Sequence, residues 1–217
     1  MATISLNRTE QDIFSGYSKL ETPDERKENK VEGSLFFEGF EELVRQYKEI
    51  LSTEEWSNVP KLLGETRMIL EPEEINSFLQ AIIKYENHEN YSKNTGYFIT
   101  RLIQNSHNTG NNKFTLNTIE LSKDIHNLAS DFNGRKDKLL EIIVDGSVGK
   151  YCCAWAKNIG QLYIGGNAGK CCVIGAENST FKTPNKETLQ LLKKNVEKDK
   201  NNRIYFIHPN NQEEEIK

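Results

Sequence analysis

The chain has 217 residues, a net charge of −4 and a pI near 5.7, which gives no electrostatic reason to expect nucleic acid or an anionic membrane surface as its main partner. That length holds one large or two small domains, and we expect two. With 36% hydrophobic and 28% charged residues, part of the chain is expected to stay solvated. The apolar runs Leu139–Leu140 and Ile142–Val144 are split by Glu141, far short of a membrane span, and the first ten residues lack the apolar core of a secretory signal. The expectation is a soluble, cytoplasmic protein.

In chain order, residues 1–33 read as a flexible leader, since Glu21–Lys30 is nearly all charge around a proline. Phe36, Phe37, Phe40, Leu43, Val44, Tyr47, Ile50 and Leu51 recur at three- and four-residue steps and predict an amphipathic helix, with Glu38, Glu41 and Glu42 early and Arg45 and Lys48 late. Ser52-Thr53-Glu54-Glu55 has capping-box spacing for a next helix that Pro60 breaks or restarts, and Pro72 suits the first position of a third. Ile75, Phe78, Leu79, Ile82 and Ile83 give that helix its apolar face. After a polar break at Asn87–Asn94, Phe98, Ile99, Leu102 and Ile103 predict a fourth helix ending in the loop Asn105–Asn112. Residues 34–112 are thus expected to form a helical domain. Lys113–Leu121 reads as a strand and Ile125–Phe132 as a short helix closed by Asn133-Gly134.

Ile142–Asn158 and Leu162–Asn178 then repeat at an offset of 20, matching Gly146 to Gly166, Gly149 to Gly169, Lys150 to Lys170, Cys152 to Cys172 and Asn158 to Asn178. One apolar run and one Gly-x-x-Gly turn per period is the pattern of stacked solenoid units. Ile142, Val144, Leu162 and Ile164 alternate inward, Gly146 and Gly166 are expected to supply corners at positive φ, and Gly149 and Gly169 to close them. Lys150 and Lys170 lead outward. Thr183-Pro184 opens a helix with Leu189, Leu192 and Val196, Arg203–Ile207 is a last strand, and residues 210–217 read as a disordered acidic tail. These residues place the β-rich domain at 113–209.

The repeat resembles the glycine-repeat β-helix domain found in glutamate synthase large subunits and in one of the subunits of formylmethanofuran dehydrogenases. The resemblance covers about a fifth of the chain and implies a right-handed parallel β-helix with a packing or scaffolding role. No catalytic residue carries over from it. The expected fold class is α+β: an N-terminal helical bundle followed by a short right-handed parallel β-helix-like domain with a C-terminal helix and strand.

All four cysteines lie in Cys152-Cys153 and Cys171-Cys172. Neighbouring strand residues face opposite ways, so neither pair offers two thiols to one tetrahedral ion, and Cys152 stacked on Cys172 in the core is the favoured reading over a metal or redox pair. The Gly149-Lys150 and Gly169-Lys170 pairs lack the upstream glycine and downstream Ser or Thr of a phosphate loop. Among His88, His107, His126 and His208 no ligand spacing exists. Asn105, His107, Asn111 and Asn112 form the one candidate ligand loop, with a solvated loop as the plainer reading. Trp56 and Trp155 read as core or rim anchors. No cofactor or metal is expected. Two functions stand: a non-enzymatic scaffold with a protein partner or as a homo-oligomer, or an accessory subunit or ligand-binding enzyme with a site at the junction of Asn105–Asn112 and Tyr151–Trp155.

Overall fold

The computed structural model describes residues 40–216 apart from 54–55 and 198–199, so the expected leader and Phe36 and Phe37 lie outside the described residues. The protein is α+β, with a mostly parallel six-stranded sheet and five α-helices among those residues. The helices are α1 (Phe40–Leu51), α2 (Val59–Glu65), α3 (Pro72–Ala81), α4 (Tyr91–Thr109) and α5 (Lys186–Asn195). The strands are β1 (Lys113–Leu116), β2 (Leu140–Val144), β3 (Ile159–Ile164), β4 (Thr180–Thr183), β5 (Arg203–Ile207) and β6 (Glu213–Ile216). Helices and sheet share one buried core rather than two, so the division expected near residue 112 does not separate compact units.

The helical end forms as the periodicity requires. Tyr47, Phe78 and Phe98 meet at centroid distances of 5.4 to 5.8 Å in edge-on or tilted pairs, and the buried Tyr47 hydroxyl pairs with Thr95 Oγ1 at 2.7 Å. Pro72 stands at the start of α3, where the Glu71 N–H donates to the Glu74 carboxylate at 2.8 Å. Pro60 sits inside the first turn of α2, where its missing N–H costs nothing, and so restarts a helix there rather than breaking one. Two expectations fail here. The Ser52 and Thr53 hydroxyls donate back to the Lys48 and Glu49 carbonyls, finishing α1, while Glu54 and Glu55 lie outside the described residues. The polar break ends early, because buried Asn94 donates its amide to the Ile50 carbonyl at 2.9 Å and lets α4 begin at Tyr91.

In the sheet β1 to β5 lie parallel in chain order, and β6 returns antiparallel. Ile142 pairs with Leu162 and Val144 with Ile164, the offset of the sequence repeat. Phe114, Ile142, Leu162, Phe181 and Ile204 form one inward row across five strands. The outward row runs Thr115, Ile143, Tyr163, Lys182, Tyr205 and Glu215. Helix α3 covers the first edge: Asn117 N–H donates to Asn76 Oδ1 at 2.8 Å, and Gln80 Nε2 to Asn117 O at 2.7 Å. Those bonds also turn the chain after Leu116, so the strand expected to reach Leu121 stops there. The expected disordered tail is instead β6, joined to β5 through the turn at His208–Gln212, with Lys182 Nζ bound to the Glu213 carboxylate at 2.6 Å.

The segments between strands stack as well. Asn127, Ala129 and Asp131, then Tyr151, Cys153 and Trp155, then Cys171, Val173 and Gly175 all take φ between 50° and 66°, at every second residue. Their amides donate alternately forward and back. Tyr151 N–H reaches Lys170 O at 3.1 Å and Trp155 N–H reaches Ile174 O at 2.8 Å, while Cys153 N–H reaches Leu128 O at 2.8 Å and Val173 N–H reaches Cys152 O at 2.7 Å. The helix expected over 123–132 does not form: Asn127 and Asp131 N–H donate to Lys150 O and Ala154 O of the neighbouring segment, His126 and Ala129 N–H to Ser92 O and Thr100 Oγ1 of α4, and only single turns close at Ser130 and Phe132.

The repeat glycines serve this stacking, and although the chain bends at Gly146 and Gly166 it does so without positive φ. Gly146, Gly149, Gly166 and Gly169 are absent from the positive-φ residues. A Cβ at Gly169 would lie 2.5 Å from the Gly149 carbonyl carbon, one at Gly166 would lie 2.8 Å from that of Gly146, and one at Gly149 would overlap the His126 ring. Backbone lies on backbone with no room for a methyl group. Gly169→Ala should lower the unfolding free energy by about 1–3 kcal/mol through overpacking. Gly64→Ala in α2, where nothing lies within 4 Å of a Cβ, should raise it by roughly 0.5–1 kcal/mol. Urea unfolding of both variants checks the pair, and equal tolerance of the two would refute backbone contact at Gly169.

Candidate interaction surface

Of the candidate ligand loop only residues 110–112 form a loop, and Asn105 and His107 stand on a helix. Helix α4 runs on to Thr109, because its polar end finds partners: Asn105 Nδ2 donates to the Thr66 and Met68 carbonyls, each at 3.0 Å, bracing the segment between α2 and α3. His107 is fully buried, its Nδ1–H donating to Asn111 O at 2.9 Å, while its Nε2 has no hydrogen-bond partner and its ring meets Phe132 at 5.8 Å. Asn111 donates to Ser106 Oγ and Glu71, and the Asn112 carbonyl accepts the Glu141 N–H at 2.7 Å. Asn105 and Asn111, the latter held by His107, thus tie the helices together, and Asn112 ties their end to β2. Polar composition suggested a loop; no signal in the sequence shows that the polar groups satisfy one another.

The segment 125–132 lies between α4 and residues 151–155 at the expected junction, with Cys153 N–H donating to Leu128 O at 2.8 Å. Gly96 of α4 leaves no space for a Cβ against the His126 carbonyl, His126 N–H donates to Ser92 O at 2.7 Å, and Ala129 N–H donates to Thr100 Oγ1 at 2.7 Å. A cleft of about 230 Å³ lies on the other side of the helices, lined by Arg45, Gln46, Glu49, Ile50, Leu62 and Glu65, and the Arg45 guanidinium in it is held by Glu42.

Cys152 and Cys172 are both fully buried in successive segments, with Val173 N–H bonded to Cys152 O. The expectation that Cys153 faces the opposite way fails, because alternating φ in place of a strand turns it inward too, at 0% exposure. Cys153 and Cys172 donate their thiol protons to the Cys152 sulfur, and this bonding together with burial holds both thiols well above the ordinary range. All four cysteines are free, and only Cys171 is partly exposed. Among the described residues no three His, Cys, Asp or Glu side chains are grouped to hold a metal ion. Titration of the native protein with a thiol reagent should label one cysteine, Cys171, and the other three only after unfolding. Rapid native labelling of Cys152 or Cys172 would overturn the burial of this cluster.

The large hydrophobics exposed among the described residues are Ile69, Ile119 and Leu139, each standing apart, and the neighbouring aromatics Tyr151 and Trp155. Trp155, read from sequence as a core or rim anchor, is 50% exposed, and Tyr151 is 38% exposed. Their rings stack at 6.1 Å with planes 15° apart. The Trp155 indole lies against Gly175, where a Cβ would come within 2.6 Å of its Cδ1. Glycine at 175 thus seats the tryptophan that the previous unit projects. The Trp56 side chain lies outside the described ones. Beside Tyr151, the Lys150 N–H donates to His126 Nδ1 at 3.2 Å. Burial, and then the Lys150 charge, hold His126 below its ordinary range, so the ring stays a neutral acceptor for that bond. Lys150 and Lys170 themselves are exposed, as the repeat implied.

No protein-family model matches the chain, and neither does any curated protein or solved structure. Among the described residues no helix is long and apolar enough to cross a membrane.

Proposed function

We propose that the chain is a non-enzymatic scaffold or protein-interaction module, in which the sheet and the left-handed segments are two walls of a short right-handed parallel β-helix of the glycine-repeat kind. The consecutive parallel order of β1 to β5, the shared offset of strands and segments, and the strong preference of parallel crossovers for the right hand support that architecture. The observation that carries the functional reading is the half-exposed Tyr151–Trp155 pair, standing on a backbone stack that is hydrogen-bonded on both sides. Large aromatics on a rigid support lose little entropy when a partner covers them, which is why Trp and Tyr dominate interface energetics. Polar groups that would line an enzyme's cleft are instead spent internally, as at Asn105 and Asn111.

A partner protein, or a second copy of the chain, covers that pair in this reading. Affinity capture from the native cell with the wild-type chain and with Tyr151→Ser/Trp155→Ala tests it, alongside light scattering for mass. The double variant should melt as the wild type does and lose at least one stoichiometric partner or the oligomer. A 25.0 kDa monomer whose captured proteins are the same with and without the aromatic pair would sink the proposal.

A further inference from the structure

We propose that Lys150 and Lys170, beside the Tyr151–Trp155 pair and continued by Lys193 and Lys194 of α5, dock an acidic extended segment of a foreign protein partner. This inference rests on the interaction-module reading and names the chemistry of what that surface takes. The Gly-Lys pairs acquire their meaning from the stacking. Because Gly169 lies directly on Gly149, the lysine after each emerges on the same side, and Tyr151 N–H bonded to Lys170 O sets their backbones about 5 Å apart. Like charges placed opposite one another are destabilising.

Elsewhere the same stack neutralises such a row. Lys157, Glu177 and Lys200 alternate in sign, with Glu177 bound to Lys157 at 3.1 Å and to Lys200 at 3.0 Å. Lys150 and Lys170 have no carboxylate between them and, among the described residues, neither takes part in an ion pair. Asn195 Nδ2 donates to Cys172 O at 3.0 Å, which brings the end of α5, with exposed Lys193 and Lys194, onto the next level of this side. Asp124 near His126 and exposed Asp131, bonded through its N–H to Ala154 O, stand at the first level only. Exposed Glu197 follows the end of α5 and offsets part of its charge, so the uncompensated charge is centred on Lys150 and Lys170.

Charge complementarity selects an anionic occupant. A single-stranded nucleic acid would need free ring faces to stack on, yet Tyr151 and Trp155 face each other and Trp155 also lies on Gly175. The net charge of −4 opposes a long polyanion further. A second copy would offer β6, but its Glu213 and Glu214 are held by Lys182 and His208, leaving Glu215 as the single carboxylate of that strand outside an ion pair among the described residues. An acidic peptide segment with an apolar side chain against the aromatic edges fits what remains.

The test pans a display library of random short peptides on the full chain and on Lys150→Gln/Lys170→Gln, with Lys157→Gln as a variant from the neutralised row. Acidic peptides should be enriched on the wild type and on Lys157→Gln, bind the double variant about tenfold more weakly, and be released at about 1 M salt. Unchanged melting of the double variant shows that the loss is not unfolding. Peptides without acidic excess, or equal binding by both proteins, overturn the inference and leave the interaction module standing. Tighter binding of a labelled oligothymidylate, or a concentration-dependent mass abolished in the double variant, overturns it in favour of nucleic acid or self-association. If no peptide is enriched on either protein and the aromatic variant also captures what the wild type does, both readings fall.

Discussion

The close approach of one backbone unit onto the next, at the levels of Gly146 and Gly166 and of Gly149 and Gly169, is the constraint on which the rest of the protein depends. It fixes the register of β2 on β3, brings the inward rows of Ile142, Leu162 and Phe181 into line, and sets which side chains leave the stack together. A side chain at any of these positions would open a gap that no neighbouring residue fills. The same geometry explains why both lysines and both buried cysteines recur on matching sides.

The left-handed segments are the expensive part. Non-glycine residues with positive φ, and β-branched Val173 above all, cost roughly 1–3 kcal/mol each where the conformation is truly strained. Hydrogen bonds to both neighbouring segments offset this, and asparagine, which tolerates the left-handed region best, stands just before β3, β4 and β5. Asn178 Nδ2 donates to Asn158 Oδ1 and Asn201 Nδ2 to Asn178 Oδ1, both at 2.8 Å, while Asn158 Nδ2 reaches Gly134 O at 3.1 Å. All three asparagines have positive φ. This ladder and the Lys157–Glu177–Lys200 row bind level to level through side chains, much as the glycines do through backbone.

Apolar alternation and the offset of 20 made the central strands legible, because those two units carry no insertions. The units on either side were hidden by length. Lys113 pairs with Glu141 at a distance of 28 residues, and Thr180 with Arg203 at 23, with α5 inserted between them. Ile125–Phe132 spaces its apolar residues as a helix does, yet periodicity cannot distinguish a helix from a chain whose φ alternates in sign. The glycines were correctly singled out but for a different reason, since sequence shows that a side chain is missing and not what occupies its place. Likewise the polar stretches Asn87–Asn94 and Asn105–Asn112 look solvated until Asn94, Asn105 and His107 are seen to satisfy carbonyls across the helices and at the end of α4. The exposed Trp155 was illegible because its seat, Gly175, belongs to the following unit.

Native-state hydrogen exchange tests the stack most directly, since it reads each amide separately. If the left-handed segments are hydrogen-bonded walls, the amides of Tyr151, Cys153, Trp155, Val173 and Asn178 should be protected as strongly as Ile142 and Leu162 in β2 and β3. Exchange of those five amides near the rates of exposed loops, with the strands still protected, would contradict the account and reduce these segments to ordinary connections between strands.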